Sequence, residues 1–197
     1  MTQWIRIGII GTVLGLLLGA AIDGVLTSLR TPVKKERIVI SNNPTMILEG
    51  DQAVWKQITN RIESLSNSHI VLKLAGYGGD VVQEAYMVDV IKEAQKRGNT
   101  IEIDLVGPTI SAFAMMSCYA DVVTFKPGSS LLFHSMKSGG SRHINPEFQL
   151  VQKEQFAQCK SKGFLTPATI EAIIKSGKAV IVTKKDGHYS RKIVEDN

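Results

Sequence analysis

Val106-Gly-Pro-Thr-Ile-Ser111-Ala-Phe-Ala-Met-Met116 is the stretch of sequence that decides how the rest of the chain is interpreted. The residues before it, 100–106, alternate apolar and polar side chains and predict a strand. Gly107-Pro108 is expected to end that strand, and the Ala- and Met-rich run 111–119 predicts a short buried helix. Ser111 then lies in the first helical turn, where unpaired N–H groups and the positive end of the helix dipole suit a nucleophile that generates an oxyanion. The competing role for a serine at this place is a helix N-cap.

Two further stretches place glycines or a histidine where strands end. Residues 70–75 predict a strand that ends in Gly76-Tyr-Gly78-Gly79-Asp80, and a helical pattern follows from Val81. Adjacent glycines allow positive φ and bring backbone N–H groups close to a ligand. Residues 130–134 predict a strand that ends in His134. Because the carboxyl ends of strands line the crevice of open α/β sheets, the glycine pair, Ser111 and His134 are expected to meet.

This order resembles the Clp protease proteolytic subunit (ClpP) and its relatives in the ClpP/crotonase superfamily. Gly78-Gly79 matches the family's glycine pair, although the usual Ser-Pro before it is here Gly76-Tyr77. Gly107-x-x-x-Ser111 matches the nucleophile motif, with Ala112 in the place usually held by methionine. Leu132-Phe133-His134 matches the strand that ends in the catalytic base. The resemblance extends from about Thr45 to Gly177.

The resemblance implies an α/β domain built as a spiral of ββα units, with a serine peptidase site. Ser111 would form the acyl-enzyme, and His134 would act as general base and then as general acid. The N–H groups of Gly79 and Ala112 would form the oxyanion hole, and Gly78 would contact substrate. Neither a metal nor a cofactor is implied, and the substrate would be a peptide or protein.

The third catalytic group is missing from the place where the family carries it. The family draws a carboxylate from the strand region after the late helix, but residues 176–183 contain none. Asp186 lies just beyond and is the expected third member. Glu171 on the preceding helix competes for the role, and a Ser111–His134 dyad is also open. A serine–lysine arrangement that uses Lys137 is disfavoured because such families lack the histidine.

Two other functional classes remain in competition with a membrane-anchored peptidase. One is a catalytically inactive relative of the same fold that serves as a scaffold or subunit of a membrane assembly. The other is a crotonase-type acyl-CoA enzyme, which shares the paired N–H oxyanion hole but needs no serine. The short chain and the coincidence of Ser111 with His134 disfavour this third class.

Composition indicates an ordinary globular domain. Hydrophobic residues make up 44% and charged residues 21% of the chain, and the net charge of +5 is scattered rather than massed on one face. With aromatics at only 6%, a nucleic-acid partner is not expected. Two cysteines are too few to indicate a disulfide framework or a metal site. Cys118 is expected to be a small core residue and Cys159 to be exposed.

The amino-terminal segment Ile7 to Leu29 is long and apolar, interrupted only by Asp23. About 20 helical residues span a bilayer core, so residues 1–30 are interpreted as a transmembrane anchor. A signal peptide with Gly19-Ala20-Ala21 as its cleavage site is the alternative, disfavoured because apolar character resumes beyond it. Glycines 11, 15 and 19 share one helical face and would allow close helix–helix contact.

The side of the membrane is ambiguous. Four basic residues follow the segment, and only Arg6 and the amino terminus precede it, which favours a cytoplasmic domain. Resemblance to membrane-bound peptidases of the superfamily favours the outside, and of the two sides the cytoplasmic one is expected.

Residues 31–44 are predicted to form a linker that contains a short strand at 38–40, and residues 45–197 to form the ClpP-like domain. The polar helix predicted at 146–161 lies where ClpP carries the handle helix that joins its rings, so a homo-oligomer is expected. A solvated surface helix is the alternative. The sequence does not indicate an ATPase partner.

Overall fold

The computed structural model describes residues 35–41, 52–136 and 146–196, and these residues fold as a mixed α/β domain that begins at Glu36. The strands are β1 (Arg37–Ser41), β2 (His69–Gly76), β3 (Thr100–Ile110), β4 (Val122–Phe125), β5 (Ser130–Phe133), β6 (Lys178–Lys185) and β7 (His188–Glu195). The helices are α1 (Gln52–Glu63), α2 (Val81–Lys96), α3 (Ala112–Ser117), α4 (Pro146–Ser161) and α5 (Pro167–Ser176).

The strands form one sheet in the order β1-β2-β3-β5-β6-β7, with β4 paired to β3. The strands from β1 to β5 are parallel, whereas β6 runs antiparallel to β5 and β7 runs antiparallel to β6. Since β2, β3 and β5 are parallel, their carboxyl ends share one edge of the sheet. The glycine pair, Ser111 and His134 each follow one of these ends.

The expectation that Gly107-Pro108 ends strand β3 was wrong. The strand continues to Ile110, and its pairing with β2 skips from Leu74–Leu105 to Gly76–Thr109. β3 therefore has two extra residues, a bulge that contains the glycine and the proline. Before the bulge β3 pairs with β4, and after it β3 pairs with β5. The bulge bends β3, so that β4 and β5 can both pair with the same side of this strand, one after the other.

Alternate residues of β2 and β3 form the centre of the core. Each is 4% exposed or less, and they pack with apolar residues of α2 and α3. These strand residues are Ile70, Leu72, Leu74, Ile101, Ile103 and Leu105. The pattern fits strands that pack one face on helices. The short helix α3 is buried along its whole length, which holds Ser111 at a fixed place above the core.

The expected linker 31–44 overlaps the domain, because residues 37–41 form β1 and pair in parallel with β2. The apolar segment 7–29 lies outside the described residues. Within the part of the chain that the structure describes, no helix is long and apolar enough to cross a membrane.

Helix α4 is exposed to solvent along one face and buried along the other. Gln152, Gln155 and Phe156 on it are buried, and Cys159 is completely buried and forms a disulfide bond with Cys118 at the end of α3. Cys118 does lie in the core, but the expectation that Cys159 is exposed was wrong. No local pattern in the sequence indicates that two distant cysteines on separate helices face each other. The bond fixes α4 to the helix that follows Ser111.

Candidate active site

Ser111 has a backbone conformation that serine rarely adopts, with φ of 58° and ψ of −122°. It precedes α3 at the N-cap position, but its hydroxyl makes no capping hydrogen bond. Its amide nitrogen instead donates to the carbonyl oxygen of Leu132 on β5, at 2.9 Å. N-cap residues that act through their side chains have extended backbone angles. Capping therefore does not explain the serine at this position.

Gly78 is the glycine that packs directly on Ser111. A Cβ atom placed on Gly78 would lie 2.6 Å from the carbonyl oxygen of Ile110 and 2.9 Å from the amide nitrogen of Ala112. It would also lie 3.0 Å from the Cβ atom of Ser111. With a φ of +83°, only glycine fits here without strain or movement. The glycine loop is thus in contact with the first turn of α3, and Gly79 follows with a φ of 144°.

Ser111, Ala112 and His134 line one small cavity at the carboxyl edge of the sheet. Its other lining residues come from the start of α2, from α3, from the end of β5 and from α4: Val81, Glu84, Met115, Phe133, Met136 and Gln152. The structure therefore brings together the serine and the histidine that the sequence singled out. Gln152 Nε2 also donates to the carbonyl oxygen of His134, at 3.3 Å, and so supports the backbone of the histidine.

The carboxylate beside His134 belongs to Asp196. Its Oδ2 lies 3.6 Å from Nδ1 of His134, and the two side chains are 13% and 20% exposed. This is an ion-pair distance but too long for a hydrogen bond. Among the described residues, Nδ1 of His134 is buried without a hydrogen-bond partner. A shift of less than an ångström would bring the imidazole and the carboxylate into hydrogen-bond contact.

Asp186, the carboxylate expected from the sequence, does not reach His134. It lies exposed in the turn between β6 and β7. Because β6 runs antiparallel to β5, the start of β6 lies beside His134, and Asp186 lies about 20 Å further along the strand. Glu171 is also remote from this role, since it is exposed and pairs with Lys175 at 2.6 Å. Asp196 replaces both as the candidate third group.

Glu84 is a site residue that the sequence analysis missed. It lies in the first turns of α2, lines the cavity and is only 1% exposed. Burial raises the pKa of Glu84 to about 7, and this effect outweighs the hydrogen bond from Gln155 and the charge of Lys92, which lower it. The apolar pattern at positions 81, 85, 88 and 91 did not identify Glu84 as a site residue, because Glu84 lies beside that pattern. The one feature of the sequence that places Glu84 near the site is its position three residues after Val81, where the helix that follows the glycine loop begins.

No protein-family model and no curated protein matches this sequence. Solved structures do match the fold, among them a serine-to-alanine mutant of 1510-N, described as a membrane-bound stomatin-specific protease. That structure superposes with a TM-score of 0.52, at 14% sequence identity over 75% of this chain and 73% of that chain. At this identity the likeness establishes a fold and not an activity. The described domain therefore shares its mixed α/β fold with that solved structure, in line with the α/β class expected from the sequence.

Proposed function

We propose that this chain is a membrane-anchored ClpP-like serine peptidase that cleaves peptide bonds through an acyl-enzyme on Ser111, with His134 as base. The observation that carries the proposal is the strained backbone of Ser111, whose hydroxyl caps nothing. A non-glycine residue in such a conformation costs about 1–3 kcal/mol and persists where function requires it. Here the residue shares a cavity with a histidine, which supports a nucleophile and its base.

His134 takes the hydroxyl proton of Ser111 as Oγ attacks the carbonyl carbon of the peptide bond. Since Asp196 faces Nδ1, the nitrogen left for Ser111 is Nε2. The new Oγ–C bond forms, the C–N bond of the peptide breaks, and His134 returns the proton to the departing amine. A water molecule then hydrolyses the acyl-enzyme with the histidine again as base.

The oxyanion that forms during attack is stabilised by backbone N–H groups. Ala112 begins α3, and amides in a first helical turn have no partner within the helix. A Cβ atom on Gly78 would lie 2.9 Å from the Ala112 nitrogen, so a glycine is needed there to keep the amide uncovered. The N–H of Gly79 is the second donor in this proposal, and Gly78 contacts the substrate.

Asp196 holds the imidazole of His134 in the tautomer with a proton on Nδ1 and stabilises the imidazolium that forms. The role assigned to Asp186 from the sequence therefore passes to Asp196. The approach of Asp196 to hydrogen-bond distance accompanies substrate binding, as catalytic hydrogen bonds in empty sites are often long.

Membrane attachment and self-association complete the proposal. The apolar segment 7–29 has the length of a membrane span, and the solved protease of the same fold is described as membrane-bound. Exposed apolar side chains at Val82, Leu150 and Val151 support contacts with further copies of the chain. The substrate is a peptide or protein.

A catalytically inactive scaffold is the second candidate, and the 3.6 Å gap between His134 and Asp196 is the observation that favours it. A fluorophosphonate probe separates the two, because it reacts only with an activated serine. We expect the full-length protein in detergent to be labelled on Ser111, the His134→Gln variant to be labelled more slowly, and Ser111→Ala to remain unlabelled. Absence of label on the wild type would establish the scaffold.

A further inference from the structure

Glu84 is a buried carboxyl group that the proposed peptidase mechanism does not use. It lines the same cavity as Ser111 and His134, and it is only 1% exposed. A glutamate is almost never buried so completely unless hydrogen-bond donors or a cation reach its oxygens. The groups that reach Glu84 therefore indicate what its carboxylate does in the cavity.

The carboxylate of Glu84 has unused capacity for hydrogen bonds. Among the described residues, both of its oxygens accept from the same nitrogen, Nε2 of Gln155 on α4, at 3.0 and 2.9 Å. A carboxylate has about four positions at which it can accept, so this nitrogen leaves positions free on both oxygens. Lys92 on the same helix lowers the pKa of Glu84 through its charge, but its Nζ lies over the ring of Tyr119, 5.0 Å from the ring centre. Glu84 can therefore accept from a further donor inside the cavity.

The cavity is too small for a substrate side chain. Its volume is about 20 Å³, which holds about one water molecule. Val81, Ser111, His134 and Met136 are half-buried and form its solvent side, whereas Glu84 lies among the buried lining residues. A water molecule is retained in such a place when two to four polar groups bind it. Glu84, Ser111 and His134 supply those groups.

The buried side of the cavity has a single charged group. Its lining residues there are Glu84, Ala112, Met115, Phe133 and Gln152, and of these only Glu84 ionises. Burial raises the pKa of Glu84 to about 7, so about half of the molecules carry the carboxylate at neutral pH. A carboxylate accepts a stronger hydrogen bond than a neutral group does. Glu84 is therefore the group that binds a water molecule most strongly on this side.

We propose that this cavity holds the water molecule that hydrolyses the acyl-enzyme, and that Glu84 is the residue that positions it. The inference rests on the proposed peptidase function and adds a positioning residue to its second step. One O–H group of the water donates to the carboxylate of Glu84, and the other donates to Nε2 of His134. With both O–H groups held, the lone pair of the water oxygen is directed at the acyl carbon on Oγ of Ser111.

The protons of this step balance without a further reactant. His134 takes a proton from the water as the water oxygen bonds to the acyl carbon. The bond between that carbon and Oγ of Ser111 then breaks, His134 returns the proton to Oγ, and the acid product leaves. Glu84 keeps its hydrogen bond throughout and neither gains nor loses a proton. It therefore acts on hydrolysis of the acyl-enzyme and not on its formation.

The ester p-nitrophenyl acetate separates the two steps, because the initial burst of nitrophenol reports acylation and the steady rate that follows reports hydrolysis of the acetyl-enzyme. Full-length protein in detergent is used, and Ser111→Ala, which should show no burst, gives the background. Glu84→Met keeps the length of the side chain but has no oxygen. We expect its burst rate to be unchanged and its steady rate to be roughly 10- to 100-fold lower, the range for losing a hydrogen bond to a charged group. Acetylated Ser111 should accumulate, as measured by intact mass after acid quenching.

Two further variants serve as controls. Glu84→Gln keeps an oxygen that accepts from the water, and its steady rate should lie between those of the wild type and Glu84→Met. Glu93→Gln is an exposed change on the same helix and should match the wild type in both rates. If Glu84→Met does not fold by circular dichroism, Glu84→Gln decides alone. Its ratio of steady rate to burst rate should then fall several-fold, and an unchanged ratio would overturn the inference.

A fluorophosphonate keeps the two proposals separate, because its reaction with Ser111 requires no hydrolysis step. If it labels the wild type but Glu84→Met loses burst rate and steady rate equally, Glu84 has a structural role and the inference is overturned. If Glu84→Met matches the wild type in both rates, Glu84 has no role in hydrolysis, and the inference is again overturned. The peptidase proposal stands in both cases. If the wild type shows neither labelling nor a burst, the peptidase proposal fails, and the inference about Glu84 fails with it.

Discussion

Nδ1 of His134 lies 3.6 Å from Oδ2 of Asp196, and this neighbourhood is produced by the hairpin of β6 and β7. Phe133 pairs with Val180 across the antiparallel β5–β6 contact, so His134 lies beside the start of β6. Strand β7 returns along β6 and ends with Glu195 opposite Lys178. Asp196 is thereby carried back to the histidine. The carboxylate of the site is thus the residue that follows the last strand.

We predict that Asp196→Asn slows fluorophosphonate labelling of Ser111 by roughly 10²- to 10⁴-fold, because an asparagine cannot stabilise the imidazolium of His134. Labelling rates measured at pH 7.5 for the variant and the wild type test this. Asp186→Asn and Glu171→Gln are the matched controls, since both carboxylates are exposed and remote from the histidine. Wild-type rates in Asp196→Asn would show that Ser111 and His134 act as a dyad.

Replacing Ser111 by glycine should abolish labelling and at the same time stabilise the domain. Glycine adopts a φ of 58° without the steric cost that serine bears, and we expect a gain of about 1 kcal/mol in the free energy of unfolding. Ser111→Ala retains the strain and is the control, with stability close to that of the wild type. The measurement is urea unfolding followed by circular dichroism. Equal stability of the alanine and glycine variants would contradict the strain.

Gly78→Ala is expected to abolish labelling, because its Cβ atom would collide with Ile110 and with the amide nitrogen of Ala112. Gly128→Ala is the control, since Gly128 has nearly the same φ, +80° against +83°, but no atom lies within 4 Å of the added carbon. It should cost about 1–2 kcal/mol of stability through backbone strain and leave labelling intact. Loss of labelling in both variants would mean that strain alone is responsible.

Glu84 should make the stability of the domain fall with rising pH. Burial raises its pKa to about 7 in the folded state, against an ordinary value of 4.5. Between these values the folded state binds more protons than the unfolded state, so the free energy of unfolding decreases as pH rises through this window. The loss amounts to about 3 kcal/mol and is complete above pH 7.

Glu84→Gln removes this ionisation and tests the effect. Urea unfolding of both proteins at pH 5 and pH 8 should show the variant gaining about 3 kcal/mol on the wild type between the two values. Every other titrating group is the same in the two proteins, so the pH dependence of the difference between them comes from Glu84 alone. A constant difference between the two proteins would contradict the raised pKa.

The double variant Cys118→Ala, Cys159→Ala should lower the free energy of unfolding by about 4 kcal/mol, the chain-entropy value for the loop that a separation of 41 residues closes. For a domain of this size that corresponds to a fall in Tm of about 10 °C. Thermal unfolding followed by circular dichroism measures it. Both proteins are measured without reductant. If the double variant then has the same Tm as the wild type, the bond does not form.

Structure that follows from local chemistry could be predicted from the sequence. Asp80 directly precedes the helical pattern that begins at Val81, where aspartate is a favoured N-cap residue, and its carboxylate accepts from the amide of Val82 at 2.6 Å. Thr166 and Pro167 likewise have the residue types favoured at an N-cap and a first helical position, and Thr166 caps α5, which ends at Gly177 in the left-handed conformation. Each of these rules concerns a few neighbouring residues, whose conformations depend little on the rest of the fold.

The failures concern contacts between distant parts of the chain. Asp196 meets His134 only because β6 reverses direction beside β5, and the sequence does not state the direction of a strand within a sheet. Cys159 meets Cys118 because α4 packs on the end of α3. Glu84 is an acid next to an apolar helical stripe, a position that ordinarily faces solvent. Tertiary packing overrode local expectation in all three cases.

The bond between Cys118 and Cys159 gives the protein a built-in marker for the compartment in which its domain resides. Disulfides persist in oxidising compartments and are rare in the cytosol. Maleimide-linked polyethylene glycol, added to cells lysed in denaturant with acid quenching, increases the apparent mass of every chain that carries free thiols. A domain held in the cytosol would therefore run as a heavier band with two adducts, matching its two cysteines, and an exported domain would run unshifted. The native chain thus reports its own compartment on a gel, without a fusion partner.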